Sequence, residues 1–344
     1  MTVELLGLDR DFQPVKTYDF INLQWNRKYY ECGTFSVQII AEDFDDSIVY
    51  LFRKDRPETG IIQKIEYSKT IKGAFVQLTG FFLECMMNDK IIYPTFFASG
   101  NIENECHRMV STYRDDIPFF EFGAIKGLGK KVEFQETGGQ MGSVLYRILQ
   151  TQEFSYRLRL DYVNTKLIFE VYQGLDRTQD QDYNNPVVFS KAFKNISKTV
   201  VTTDNSNYKN YIIVAGQGEG SARMFATVDK SNGAYRRQVF YDQRNEAQEG
   251  TDKEYLSSLR QIGEEALLSY QAVQNIELEP QESAFRYLED FDLGDKVDIV
   301  FDPLKLSFQS RIIEINEVYK NGNRTISLTI GDKILTQYEK ARIK

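Results

Sequence analysis

One histidine, one tryptophan and three cysteines are spread over 344 residues. With His107 alone, any mechanism that needs a histidine base or several imidazole ligands has a single candidate. On a helix its neighbour Cys106 would point about 100° away, so the two cannot form a local Cys–His pair. The expected roles are a core cysteine and a histidine on a helix flank. Cys-x-x-Cys and His-Glu-x-x-His are both missing, which removes the usual zinc patterns. Cys32, Cys85 and Cys106 are scattered and odd in number, so all three are expected as free thiols in a reducing compartment. No 18-residue apolar run occurs, and the first residues lack a basic segment followed by an apolar core, so neither a membrane span nor a signal peptide is expected. There is also no block of five or six like charges. With a net charge of −8 and a pI near 5.1, a conventional DNA-binding surface of clustered Lys and Arg is not supported. An acidic balance does suit a surface past which DNA slides without sticking.

Proline is scarce at 7 residues, whereas 24 Phe and 21 Tyr suit a pleated, half-buried surface. The length allows two to four domains. Residues 1–98 alternate apolar and polar positions at Phe35 to Ala41, Ile61 to Tyr67 and Ala74 to Gly80, with turn chemistry at 54–60, and predict a small β-barrel. Residues 99–185 change character. Ile102, Cys106, Met109, Val110 and Tyr113 recur at helical spacing, as do Val144, Leu145, Ile148 and Leu149, and a hairpin is expected from Tyr156 to Tyr172. This segment reads as an α+β insert that ends in the polar run 176–186. Residues 186–274 return to strands and finish in a long helix, for which Thr251 and Glu254 offer a capping box. Residues 275–344 predict a second small barrel, with Val297, Ile299 and Phe301 alternating and a turn at 320–323. No sequence repeat is evident, although the two barrels could be structural cousins.

The stretch Gly216-Gln-Gly-Glu-Gly-Ser-Ala-Arg223 has glycines at alternate positions, yet a strand pattern follows it, where a phosphate cradle would open a helix. Gly123 to Lys131 echoes a P-loop with the wrong spacing and no Ser or Thr for magnesium. Arg236, Arg237, Asp242 and Arg244 could form a phosphate site, a domain-locking ion network or an inter-subunit contact, and alternating Arg and Asp on strands favour the network. Glu289, Asp290, Asp292 and Asp295 are the densest carboxylates. A glycosidase needs two such groups placed across a sugar, but a loop entering a strand through Gly294-Asp295 is the favoured use. Abundant Tyr and the lone Trp25 raise a carbohydrate-binding alternative.

A glycine turn after an apolar strand, a strand from Arg236-Arg237 to Asp242-x-Arg244, and a long helix from 254 to 271 together resemble the tail hub proteins of long-tailed bacteriophages. Asp292-Leu-Gly-Asp-Lys-Val297 and the closing Ile326 to Asp332 are similar to that family's final domain. The resemblance implies a mainly β, baseplate-hub-like fold with an α+β insert, two small barrels and helix-containing domains. Its structural signature falls on Gly216, Gly218, Glu219, Gly220, Arg223, Arg236, Arg237, Asp242, Arg244, Gly294 and Asp295. It also implies a homotrimeric ring that adapts a hexameric tail tube to a three-fold tip and lines or closes the DNA channel. The implied partners are copies of itself, distal tail or tail tube proteins, the tape-measure protein and tip or receptor-binding proteins, with DNA passing but not specifically bound. No cofactor or metal is implied, and no catalytic residue. Longer relatives append a peptidase or lysozyme-like region, whereas this chain stops soon after Asp332, so any such activity is expected to be absent or to reside on another protein. A hub-like scaffold with a hydrolase site built on Glu289 and Asp292 stands as the alternative. The implied location is the virion tail, assembled in the host cytoplasm.

Overall fold

The computed structural model describes residues 3–331 apart from 246, 249, 271, 272, 283 and 305, and only the backbone of residues 221 and 273–275. Asp332 and Gln271 therefore lie outside the described residues. The first segment contributes β1 (Leu5–Leu8), β2 (Pro14–Tyr18), β3 (Phe20–Lys28), β4 (Thr34–Ile40), β5 (Tyr50–Phe52), β6 (Thr59–Thr70) and β7 (Gly73–Phe82). The second contributes β8 (Phe96–Asn101), α1 (Ile102–Tyr113), β9 (Phe120–Phe122), β10 (Lys131–Glu136), α2 (Met141–Gln150), β11 (Ser155–Asp161) and β12 (Lys166–Tyr172). Then follow β13 (Val188–Ser190), β14 (Ile196–Asp204), β15 (Tyr211–Ala215), β16 (Phe225–Asp229), β17 (Gln238–Asp242), α3 (Asp252–Leu268) and β18 (Val273–Pro280). The chain closes with β19 (Lys296–Phe301), β20 (Leu306–Lys320) and β21 (Asn323–Gly331).

The fold is mainly β with an α+β insert, as the alternation predicts. Period-two patterning decides which face is buried: Phe35, Val37 and Ile39 of β4 point inward, and Ser36 and Gln38 do not. The helices are where the spacing puts them. α1 starts at Asn101, whose side chain accepts from the N–H groups of Glu103 and Asn104, and α3 starts at the full Thr251–Glu254 capping box. The predicted hairpin is β11–β12, with Asp161 opposite Lys166.

The two barrels do not close. Thirteen strands form one sheet in the order β14-β18-β21-β20-β3-β4-β7-β6-β5-β1-β2, with β19 on β20 and β13 on β19. The cause is the length of β20. Its first part pairs with β19 (Phe301↔Leu306 to Lys296↔Arg311), and its second pairs with β3 (Glu314↔Lys28 to Lys320↔Asn22). A strand that passes into the neighbouring sheet cannot also seal its own, so the first and last segments share a continuous hydrogen-bonded surface. Three smaller sheets lie around it: β8 with β10, β9 with β11 and β12, and β15 with β16 and β17.

Four buried apolar clusters support these layers. One lies under β3, β4 and β7 around Trp25, Leu78 and Phe82, and a second lies under β18–β21 around Phe189, Phe291 and Ile315. The third fills the α+β insert and takes Leu6, Leu8 and Phe52 from the first segment, and the fourth is sandwiched between α3 and β15–β16.

The cysteine expectation fails at two of three positions. Cys32 is disulfide-bonded to Cys85 with their Cα atoms 5.6 Å apart, and only Cys106 is a buried free thiol. Fifty-three residues separate the pair in sequence. The β4–β7 register sets Thr34 opposite Phe81, and the Phe82 N–H bonds the Gly33 carbonyl, which brings the residues just before β4 and just after β7 together. Spacing along the chain carries no sign of that register.

Candidate functional site

The Gly216 to Arg244 region folds with α3 into a small lobe. β15 lies between antiparallel β16 and parallel β17, and α3 covers one face with Tyr255, Leu259 and Leu267. Gly216 has no room for a side chain, because a Cβ would meet the Tyr255 hydroxyl at 2.5 Å. Gly218 and Gly220 take φ of +105° and +54°, left-handed conformations that glycine adopts without strain, with Glu219 extended between them. The turn leads into a short 3-10 segment and a strand, so it does not itself open a helix as a phosphate cradle would.

Arg223 closes this turn. Its Nε donates to the Gly216 carbonyl at 2.8 Å, its Nη2 donates to the Ala215 carbonyl at 3.1 Å, and it also grips Asp242. Arg244 takes the other oxygen of Asp242 at 3.0 Å through Nε. Hydrogen bonds from Arg244 and Arg223 hold the Asp242 carboxyl well below the usual carboxylate range. Arg236 and Arg237 belong elsewhere, at the opposite end of β17. Arg236 donates to Asp229 at 2.6 Å and lies over the Tyr211 ring, while the Arg237 side chain reaches the Asn205 carbonyl at 3.3 Å. The expected single network is thus two, Arg223–Asp242–Arg244 and Arg236–Asp229, because five strand residues separate their ends. Each ties the lobe's own turns. The lobe is held to the insert by Arg147 of α2, which pairs with buried Glu265 of α3 at 2.6 Å, and by Ser257 on Glu133 at 2.6 Å.

Gly294 and Asp295 form the turn into β19. Gly294 has φ +88°, and a Cβ there would run into the Tyr29 ring. Asp295 is buried and accepts from Leu175 N at 2.7 Å, Arg177 Nε at 2.8 Å and Asp292 N at 3.0 Å. Burial still pushes its carboxyl up, against the bonds from Arg177 and Leu175. Asp298 accepts from Gln179 N at 2.7 Å, so these two aspartates staple the polar run 176–186 to the carboxyl-terminal half. Asp292 is held by Arg27, and Glu289 and Asp290 pair with Arg286 on the surface. The carboxylates considered for sugar cleavage are thus engaged with arginines or backbone N–H groups.

The structure also holds a charged cluster that the sequence reading missed. Where β3 meets β20, Glu317 is fully buried between Arg53 and Arg56, whose side chains are 0% and 1% exposed. Arg56 Nε donates to Glu317 at 2.6 Å, the Tyr319 hydroxyl donates at 2.7 Å and the Tyr287 hydroxyl at 3.1 Å. Arg53 forks onto Asp55 at 2.9 and 3.0 Å and lies over the rings of Trp25 and Tyr319. Arg27 extends the cluster to Glu58 at 2.8 Å and to Tyr287 at 2.8 Å. Burial raises the Glu317 carboxyl, but the Arg56 hydrogen bond and the Arg53 charge outweigh it and leave it lowered to about 2. The signal was a glutamate at an inward position of an alternating strand, between Ile315 and Tyr319. Of the two arginines, the sequence reading takes only Arg56 into account, as part of the turn at 54–60.

His107 is more buried than a helix flank implies. At 7% exposure it stacks on Phe122 and meets the edge of Phe169, and burial lowers its pKa despite nearby Glu103. Trp25 is fully buried against Phe35 and Phe82, which overturns it as a carbohydrate platform. Among the described residues no three His, Cys, Asp or Glu gather as a metal site would require, and no helix is long and apolar enough to cross a membrane.

Comparison with known proteins supplies the family. The model of the siphovirus ReqiPepy6 Gp37-like proteins matches residues 2–332, and the chain belongs to that family. Its fold is similar to that of a tail protein from Neisseria meningitidis MC58, at TM-score 0.61 and 11% identity over 97% of each chain. The 43 kDa tail protein of prophage MuSo2 from Shewanella oneidensis aligns at TM-score 0.61 and 10% identity over 95% of this chain and 97% of its own. Prophage tail protein gp18 from Listeria monocytogenes EGD-e aligns at 0.56 and 12% over 99% of each. No curated protein matches.

Proposed function

Proceeding from membership of the siphovirus ReqiPepy6 Gp37-like family, we propose that the chain is a structural component of a phage or prophage tail tip. In this reading three copies form a ring that adapts a hexameric tail tube to a three-fold tip and surrounds the DNA path. The observation that carries it is the end-to-end likeness to prophage tail proteins, near-complete on both chains. Such coverage leaves no large part of this chain for a different fold. Further support comes from the single sheet that runs through both ends of the chain, which suits a wall built around an axis.

The ring reading assigns no turnover to the chain. The division at about 98, 185 and 274 is part of the proposal, with the insert and the α3 lobe placed outside the ring wall. Distal tail or tube proteins, the tape-measure protein and tip or receptor-binding proteins would be the neighbours, within a particle assembled in the host cytoplasm.

Two measurements test this. The purified protein should have the mass of a trimer in solution or when concentrated, and antibody labelling should mark the tail end of released particles. A chain missing from purified particles would overturn the reading. Incubation with peptidoglycan should release no fragments, and release that depends on Glu289 or Asp292 would restore the hydrolase alternative.

A further inference from the structure

The sheet of the α3 lobe has a second face. Residues opposite one another on neighbouring strands point the same way, and two rows, Ala226-Val214-Tyr241 and Val228-Ile212-Val239, pack against α3. The rows between them turn outward. They are Phe225-Ala215-Asp242, Thr227-Ile213-Phe240 and Asp229-Tyr211-Gln238. Phe225 and Phe240 are left 48% and 53% exposed. Single exposed apolar side chains are ordinary, but these two share one flat face with Ile213, and contiguous patches mark binding surfaces.

An Arg–Asp pair stands at each end of this face. At one end Arg223 grips Asp242 and lies 5.8 Å from the centre of the Phe225 ring. At the other Arg236 pairs with Asp229 at 2.6 Å and lies 4.8 Å from the centre of the Tyr211 ring. Beyond that second end the loop joining β16 to β17 walls an open cleft of about 480 Å³, lined by Asp229, Ser231, Asn232, Gly233, Ala234 and Arg236. Its volume is in the range of small-molecule sites. The loop is firmly held. Buried Asn210 donates to the Tyr235 carbonyl at 3.0 Å and accepts from the Arg237 N–H at 2.7 Å, and its own carbonyl accepts from the Lys230 N–H at 2.9 Å. Asp229 accepts from the Ser231 N–H at 2.9 Å, and left-handed Asn232 and Gly233 turn the chain back. Tyr235, 87% exposed, is thereby fixed next to Arg236.

Charge and size select the ligand. Arg223, Arg236 and Arg244 are each paired with an aspartate, so an anionic polymer would have to displace a carboxylate to reach them, and the counterion release that drives nucleic-acid binding is small. Three strands of five residues offer a flat area of about 10 by 13 Å. That is far below the roughly 800 Å² that each partner gives to a standard protein interface. A neutral saccharide fits both limits. Its ring has an apolar C–H face that packs on an aromatic side chain, and hydroxyls at its rim that donate to a carboxylate and accept from a guanidinium. A paired Arg and Asp offer both partners at once without net charge.

We infer that the outward face of the α3 lobe, with the cleft beside Tyr235, binds a short neutral oligosaccharide from a bacterial surface polysaccharide. Phe225 and Phe240 carry sugar rings on the sheet, and Tyr235 with the Asp229–Arg236 pair holds the next unit in the cleft. Asp229 keeps accepting capacity there, because its Oδ2 takes only Arg236 among the described residues. The saccharide site stands on the lobe's geometry, whereas its bacterial-surface source rests on the tail-tip reading, since that surface is what a tail end meets. Trp25, sealed in the core, has no part in it. One site of this size binds weakly, and a polysaccharide that repeats its unit raises the apparent affinity.

The test is binding of the purified full chain to two immobilised probes. One is neutral wall polysaccharide, freed of phosphate-bearing polymers, from the strain that releases the particles, and the other is an array of neutral bacterial oligosaccharides. Wild type should bind at least one probe, with free saccharide competing and added salt changing little. Tyr235→Ala and Phe240→Ala should each weaken binding about tenfold. Both side chains are exposed, so their thermal unfolding should match that of wild type. Tyr183→Ala, which removes an exposed tyrosine outside the lobe, should bind as wild type does. No binding to either probe overturns the site and leaves the tail reading standing, because mass and particle labelling judge that reading separately. Binding that survives loss of both Tyr235 and Phe240 places the sugar elsewhere and overturns it as well. Binding that fades as salt rises reports an anionic ligand and refutes the neutral one. Saccharide binding that depends on Tyr235, by a chain that labelling does not find on particles, would keep the site and remove the tail.

Discussion

At the scale of single residues, two buried glutamates set opposite slopes on stability. Glu317 has its carboxyl lowered to about 2, below the ordinary 4.5, so its contribution is complete above about 4.5 and is lost as the pH falls toward 2. Glu84, buried beside the disulfide, is the reverse. Burial lifts it to about 8, so it favours the folded state fully below about 4.5 and loses that contribution as the pH rises through 8. Glu317→Gln should destabilise the protein at neutral pH by about 3 kcal/mol or more, because Arg53 and Arg56 are left buried without their carboxylate. Glu84→Gln keeps an acceptor for the Gly33 N–H and removes the charge, so it should raise stability by about 3 kcal/mol at pH 8 and change little at pH 4. Denaturant titrations of both variants across pH check these signs. A Glu84→Gln protein no more stable than wild type at pH 8 would show that the carboxyl ionises in the fold without penalty.

At the scale of elements, what the sequence disclosed depended on how local the cause was. The Thr251–Glu254 box, the α1 stripe and the β11–β12 hairpin are all settled within a few turns of chain, and all three were legible. The β3–β20 joint, the Cys32–Cys85 bond and the Glu317 cluster each unite residues more than 50 positions apart, through a register that no short window contains. The signature arginines were half-legible. Pairing of Arg with Asp along β17 could be read, but not that Arg236 and Arg244 lie at opposite ends with separate partners. Because α3 depends on its local cap, Thr251→Ala should cost about 1 kcal/mol. Faster amide exchange should be confined to the first turns of α3 and the edge it packs on β15 and β16. Exchange spread evenly over the large sheet would mean that the lobe does not open on its own.

At the scale of the whole molecule, the eight strands from β14 to β6 have one buried face and one open one, and in a ring the open face would line the DNA path. That face carries Gln24, Ser36, Gln38, Gln77, Asn316 and Thr329, all half-buried or exposed. Strand alternation adds Glu66, Asp204, Glu277, Glu279 and Glu314 against Lys28, Lys64, Lys198 and Lys320, while Arg27 and Arg324 fall on the other side. The net charge of −8 suits a surface past which DNA slides, and this face is itself polar and nearly balanced. In such a ring, passage would depend on the lack of clustered cations, since releasing counterions from neutralised phosphates is what makes basic grooves hold DNA. The assembled wild type should show no salt-sensitive binding of duplex DNA. A triple variant with Gln24→Arg, Ser36→Arg and Gln77→Arg, still a ring by mass, should bind duplex DNA with an affinity that falls steeply as salt rises. Fluorescence anisotropy over a salt titration reads both. Tight, salt-sensitive binding by the wild type would refute the passive channel, and a variant ring that binds no better would place this face away from the DNA path.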